Sequence, residues 1–404
     1  MSLHGELAAG RGSWALLLAL GITQLVSWGS IYYAFALLLE PLQRDLGAGR
    51  SEIAGAFSAA LLASGLCATW IGRRIDRAGG RAVMTVGSLA AAALLALHAT
   101  VQTVPALYAL WIGLGVAMAA TLYEPAFVVI AQVYRIGYRR ALTVLTLFGG
   151  LASTVFWPLT TLLIESFGWR EAVLWLAAVN LVVCVPLHWL LLPRTAAVDA
   201  PVPAKAAASP VRPWRERRFL ALALAFLAHY VVVSAIAAHL IALLLARGMS
   251  PAAAAGIGAL IGPMQLLGRL VEFGASRWLS VGQVGLIAAA AMPASLIALL
   301  NAGTGLLGLT VFAALFGAGN GAMTVVRGAL PVEMYGRDHY GAIAGALATP
   351  GLLARALGPI LAALLWTALG GYEPATAVLV AVAAIGALAF AYATRAGRPA
   401  AGGP

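Results

Sequence analysis

Apolar residues run along this chain in blocks of roughly twenty to thirty, separated by short clusters of Gly, Pro and charged residues. About 20 apolar residues in a helix are enough to cross a hydrocarbon core of about 30 Å. The blocks predict twelve spans, at 14–39, 52–71, 82–101, 105–132, 141–164, 171–192, 219–245, 251–275, 283–301, 305–328, 341–367 and 373–394. An even count places both ends of the chain on one side of the bilayer. The first block, from Trp14, is too long for a signal-peptide core and lacks a cleavage site, so it is read as a retained span.

Composition agrees with that pattern. Of 404 residues, 62% are hydrophobic and 10% charged, and no stretch is left to form a soluble domain of useful size. The net charge of +11 carries no basic, aromatic-interleaved helix suited to nucleic acid. It follows the membrane instead. With the N-terminus inside, 18 Lys and Arg face the cytoplasm and 4 face outward (Arg44, Arg50, Arg170 and Arg247), so both termini are expected in the cytoplasm of a cell that places the chain in its inner membrane. Cys67 and Cys184 both lie in apolar blocks, which argues against a disulfide framework or a thiolate metal site.

The longest polar interruption, "PRTAAVDAPVPAKAAASPVRPWRERR", is rich in Pro and Ala and ends in a basic cluster. It divides the chain into a six-helix bundle at 1–192, a cytoplasmic linker at 193–218, and a second six-helix bundle with a short cytoplasmic tail at 219–404. The halves repeat weakly. "VYRIGYRRALTVLTLFGGLAS" from Val133 and "MYGRDHYGAIAGALATPGLLA" from Met334 share Tyr and Gly-Leu spacing at an offset of 201, which Pro158 and Pro359 keep. Glu171 and Glu373 follow at 202. Two parallel six-helix repeats suit a large class of secondary transporters.

Between spans two and three stands Gly72-Arg-Arg-Ile-Asp76-Arg77-Ala-Gly79-Gly80-Arg81. It resembles the cytoplasmic loop signature of the major facilitator superfamily, G-x-x-x-D-R-x-G-R-R/K, with one extra glycine. Physically, Asp76 is suited to face the N-terminus of a neighbouring helix, the arginines to hold the loop at an anionic lipid surface, and the glycines to allow a tight reversal. The resemblance implies an all-α membrane protein with twelve transmembrane helices in two pseudo-symmetric bundles, the major facilitator fold. "YRRALTVLTLFGG" and "SWGSIYYAF" look like bacterial relatives of the monocarboxylate transporters. On that resemblance Arg269 stands where a cation meets the substrate carboxylate, and Arg355 about where the related oxalate:formate antiporters place a second cation. Leu37 lies in the region of the family's membrane lysine, and Gln265 replaces the aspartate four residues before Arg269. Proton coupling through that lysine and aspartate is therefore not implied here.

Ionisable groups inside spans cost at least about 2.5 kcal/mol, so each calls for a partner or a wet cavity. Arg269 could grip a carboxylate through two parallel hydrogen bonds, or pair along the helix with Glu272, which is expected to reach water by snorkelling. Arg355, between Pro350 and Pro359, could line a cavity or clamp freed carbonyls. Glu124 and Arg327, in equivalent spans of the two halves, are candidates for a gate pair, or Glu124 for a proton carrier; a structural carboxylate is the alternative. His229 and His239 could relay protons or bind substrate, or each make one interhelical bond. Tyr32 and Tyr33, with Trp28, could form an aromatic wall. Gln24, Gln265 and Asn320 are candidate cavity donors. No metal site, cofactor motif or catalytic set is present in the sequence pattern, so no cofactor is expected and no enzyme activity. The expected function is gradient-driven, alternating-access transport of a small organic anion by a monomer in the lipid bilayer, coupled to a proton or a counter-anion. The alternatives are efflux of a neutral or amphipathic compound such as a drug or sugar, and a non-transporting sensor on the same fold.

Overall fold

A computed structural model describes residues 14–134, 136–193, 213–337 and 340–395. The expected linker at 193–218 falls largely outside them, as do Arg11, Arg135 and Arg398. Among the described residues the chain is helical with no strand. Eleven segments are long and apolar enough to cross a membrane: Trp14–Leu46, Glu52–Ala78, Gly80–His98, Val104–Val133, Tyr138–Phe167, Trp169–Leu191, Arg217–Ala246, Val281–Ala302, Leu306–Tyr335, Tyr340–Leu369 and Tyr372–Arg395. The helix Pro251–Ala275 occupies the place of the eighth expected span, and the helices are numbered below as spans 1 to 12 in that order.

Several helices outrun their apolar blocks. Span 2 runs to Ala78 and span 3 restarts at Gly80, so the expected loop shrinks to a single break at Gly79, where φ is 78°. The reason is that Arg73, Arg74 and Arg77 end the hydropathy signal while their exposed side chains leave the backbone free to stay helical. At the same break Arg81 donates to the carbonyls of Leu192 (2.6 Å) and Leu190 (3.3 Å), and its guanidinium lies 5.9 Å from the Trp189 ring centre.

The chain divides into two compact units, Met1–Val211 with Tyr335–Thr349, and Arg212–Met334 with Pro350–Pro404. The boundary falls inside span 11 rather than at the polar interruption alone. In the first unit, the start of span 11 packs against the end of span 2. Asp76 accepts from the backbone N–H of Gly341 (2.8 Å) and of Ala342 (2.9 Å), and Thr349 Oγ1 donates to the Gly65 carbonyl (2.9 Å). Gly72 and Gly341 meet backbone to backbone, where a Cβ on either would collide. A carboxylate that receives two amide protons from the first turn of a helix also meets its positive dipole end.

Spans 2 and 4 approach equally closely at Gly115, where an added Cβ would strike the carbonyl of Ala60. The second unit buries a continuous apolar core from spans 7, 8, 9, 10, 11 and 12, including Ile236, Leu240, Leu296, Phe312 and Phe316. Within it Gly317 and Gly321, four apart on span 10, lie against Ile261 and Gln265 of span 8. Large apolar side chains such as Trp278 (79% exposed) and Leu307 (81%) point outward, which suits a lipid-facing surface. Each unit also carries the same turn device before its last span: Gly168 (φ 84°) precedes Glu171 in the first turn of span 6, and Gly370 (φ 75°) precedes Glu373 in the first turn of span 12.

Two outcomes follow from this packing. Gly115→Ala should lower the thermal midpoint in detergent, because the colliding atom is backbone and overpacking costs about 1–3 kcal/mol. Gly262→Ala, with open space around it, should not; equal midpoints for the two variants would contradict the close approach. Likewise Asp76→Ala should destabilise the protein by about 1 kcal/mol, the typical cost of losing a helix-capping acceptor, and Asp76→Asn by less. Arg73→Ala, an exposed neighbour, serves as the control, and an Asp76→Ala midpoint equal to it would show the two amide bonds to be immaterial.

Candidate functional site

Proline chemistry shapes the interior of the first unit. Pro125 has no N–H, so the carbonyl of Thr121 one turn earlier loses its helical partner. Span 4 breaks there, at Leu122 (φ −77°, ψ −154°), and a second helical piece starts at Tyr123 with Glu124 in its first turn. The buried Gln24 of span 1 donates Nε2 to the Thr121 carbonyl at 2.7 Å and to that of Leu122 at 3.3 Å. Its Oε1 accepts from the Trp28 indole N–H at 3.2 Å, so Gln24 is a clamp on the broken span rather than a donor facing open space. Glu124 is half-buried beside Ala68, Gly72 and Gly341.

Span 1 is itself irregular. Residues Trp28–Tyr33 form a π-helical segment, and span 6 carries another at Asn180–Cys184. The two are joined by Asn180 Nδ2 donating to Ser30 Oγ at 2.7 Å. Local π turns of this kind recur at functional sites. This one gathers an aromatic group: Trp28 lies 4.8 Å from Tyr32, 6.0 Å from Tyr33 and 4.9 Å from Tyr123 by ring centres, and Tyr32 stands 5.1 Å from Phe57. Trp28, Tyr32 and Tyr33 thus form a packed cluster. Tyr123, which the sequence offers only as a neighbour of Glu124 and not as a site residue, joins it and donates to the Thr146 carbonyl at 3.2 Å. A tyrosine next to Glu-Pro offered the only signal.

The second unit holds the arginines. Arg269 of span 8 is 7% exposed and Arg327 of span 10 is 8% exposed, while Arg355 of span 11 is half-buried. Glu272 is only 2% exposed, so the expected snorkelling to water does not occur: it lies on the packed side of span 8 together with Arg269, as residues three apart must. Gln265 presses its backbone against Gly321, with its side chain half-buried.

Arg327 and Arg355 meet over one ring that sequence reasoning passed over. The Tyr230 ring centre of span 7 lies 4.3 Å from the Arg355 guanidinium carbon and 5.7 Å from that of Arg327. Beside it His229 (6% exposed) shares a 3.1 Å hydrogen bond between Nε2 and Asn320 Oδ1; the amide oxygen can only accept, so the histidine donates. His239 sits elsewhere on span 7, its Nε2 donating to the Pro359 carbonyl at 3.0 Å. The structure therefore brings Arg327, Arg355, His229 and Asn320 into one neighbourhood and leaves His239 outside it. Glu124 belongs to the first unit and Arg327 to the second. Among the described residues no group of His, Cys, Asp or Glu is arranged to hold a metal ion.

Comparisons with known proteins follow the same outline. Residues 20–292 match the model of the Major Facilitator Superfamily. Among solved structures, a point variant of the E. coli fucose:proton symporter FucP superposes with a TM-score of 0.74 at 13% identity, over 94% of this chain and 98% of that one. FucP in its outward conformation gives 0.73 at 14% identity, again over 94% and 98%. The human organic anion transporter MFSD10 (TETRAN) gives 0.70 at 18% identity, over 96% of this chain and 100% of that one. At such identities the likeness carries the fold alone. No curated protein matches the chain significantly. With a family model spanning most of its length and helices that superpose on solved members nearly end to end, the chain belongs to the Major Facilitator Superfamily, a transporter family rather than an enzyme family.

Proposed function

We propose that the protein is a secondary active transporter that moves a small organic anion, a carboxylate, through the inner cell membrane by alternating access. The observation that carries this reading is the set of guanidiniums inside the spans of the second unit. Arg269 and Arg327 are buried there and Arg355 is half-buried. Cations placed in a medium that penalises charge suit a substrate that brings negative charge. Arg269 is the primary contact and Arg355 the second, with Gln265, four residues before Arg269, and Asn320, seven before Arg327, as neutral donors. The monocarboxylate-transporter resemblance in "SWGSIYYAF" and "YRRALTVLTLFGG" supports the same substrate class, as does the likeness to MFSD10, an organic anion transporter.

Energy comes from a gradient. Glu124, half-buried at the first turn of a half-helix beside a proline break, is the coupling group in this reading. That FucP is a fucose:proton symporter supports proton coupling and also sustains the second reading, a neutral sugar as cargo.

Uptake by purified protein in proteoliposomes, from a panel of mono- and dicarboxylates and neutral sugars, separates the two. Each charge-assisted hydrogen bond to an anion is worth about 1.5–3 kcal/mol, so Arg269→Lys and Arg355→Lys should each lower carboxylate uptake by roughly 10- to 150-fold, while Arg395→Lys, exposed at the end of span 12, leaves it unchanged. Sugar uptake with no carboxylate uptake would replace the anion reading by the second one. For coupling, Glu124→Gln should abolish accumulation driven by a pH gradient yet retain exchange of labelled for unlabelled substrate. Undiminished accumulation would remove Glu124 from that role.

A further inference from the structure

We infer that Tyr230 is a positioning residue, whose ring, with Arg327 against it as well, holds the guanidinium of Arg355 in the orientation that receives the anion. The inference rests on the transport reading above for its purpose, and on the geometry of the second unit for its content. Two cations from different helices, spans 10 and 11, approach one aromatic ring on a third, span 7, at 5.7 and 4.3 Å. Each distance lies within the roughly 6 Å over which a ring face attracts a cation. Tyr230 is 5% exposed, so water weakens the attraction little.

The ring is itself held in place by how spans 7 and 11 dock. Gly351, one turn before Arg355, is the seat of the ring: a Cβ there would stand 2.6 Å from Tyr230 Cδ2 and 2.7 Å from Cε2. One turn further along span 7, Ser234 Oγ, whose nearest acceptor is the Tyr230 carbonyl at 2.7 Å, comes within 3.2 Å of the Ala354 carbonyl, and Gly358 lies against the same hydroxyl. His239 then bonds to the Pro359 carbonyl at 3.0 Å. These contacts advance together along both helices and fix their register, so Arg355 meets the ring at a set height. The neighbouring His229–Asn320 bond ties span 7 to span 10, on which Arg327 lies seven residues after Asn320, two turns along nearly the same face.

A flexible guanidinium that is already stacked loses less freedom when it binds a carboxylate. Removal of the ring is therefore expected to weaken substrate binding more than it slows the transport cycle. Two measurements on the full-length protein test this. In the first, arginine modification by phenylglyoxal is followed by peptide mass spectrometry without substrate. Arg355 should react at the parent rate in Tyr230→Phe and several-fold faster in Tyr230→Leu, with the exposed Arg395 unchanged throughout. Gly351→Ala, which displaces the ring without deleting it, should act in the same direction and keeps the test open if Tyr230→Leu does not fold. In the second, the KM for a carboxylate taken up by the parent should rise tenfold or more in Tyr230→Leu with little change in maximal rate, and return near the parent value in Tyr230→Phe. Equal Arg355 reactivity in parent, Tyr230→Leu and Gly351→Ala overturns the positioning role, as does a Tyr230→Leu defect that Tyr230→Phe shares. Protein that transports no carboxylate while its Arg355 reactivity still follows the ring refutes the anion reading and leaves the ring–guanidinium contact standing.

Discussion

A peptide group inside a bilayer has no water to pair with, and this constraint explains most of what is irregular in the protein. Where span 4 departs from a plain α-helix, a side chain takes up what the backbone lost. Pro125 frees the Thr121 carbonyl, and Gln24 reaches across from span 1 to meet it. The π-helical segment of span 1 is tied to that of span 6 through Ser30 and Asn180. Breaks so supported place Tyr123 against the Trp28 cluster, with Glu124 next to it in sequence, in one part of the first unit. The irregular backbone is thus the scaffold on which the candidate chemistry of that unit is mounted.

The second unit answers a different demand. Its spans stay continuous, but they carry guanidiniums that an apolar medium penalises. Glycines do the preparatory work. Gly317 and Gly321 bring span 10 against span 8, and Gly351 and Gly358 bring span 11 against span 7. Close approach lets one ring serve two arginines and lets serine and histidine reach carbonyls on the neighbouring helix. Packing by small residues and placement of charge are therefore one arrangement, since a methyl group at Gly351 would displace the ring beneath Arg355.

Asp76 joins the themes of capping and charge. The carboxylate in the signature between spans 2 and 3 receives the first amides of span 11, while Arg77 remains exposed and Arg81 is bound to the end of span 6. One short stretch of sequence thus divides its charges between internal fastening and the surface. Gly79 permits the reversal between them with a positive φ that other residues resist.

The all-helical character, the run of apolar spans and the superfamily were legible from the sequence, because transfer of about twenty apolar residues into hydrocarbon is a local, additive property of the chain. The Gly72–Arg81 signature was legible for the same reason: its residues are contiguous. Helix ends were read short, since arginines lower hydropathy without ending a helix, and Glu272 was misjudged because its nearness to a helix end says nothing of which neighbour covers it. Gln24, Tyr123 and Tyr230 acquired their roles only in three dimensions. Each acts on a residue about twenty to more than a hundred positions away, at a distance set by which helices pack and at what height. Apolar periodicity determines that a helix is buried, but not its partner; that choice is made by glycine contacts, a proline's missing proton and the cations that a single ring can hold.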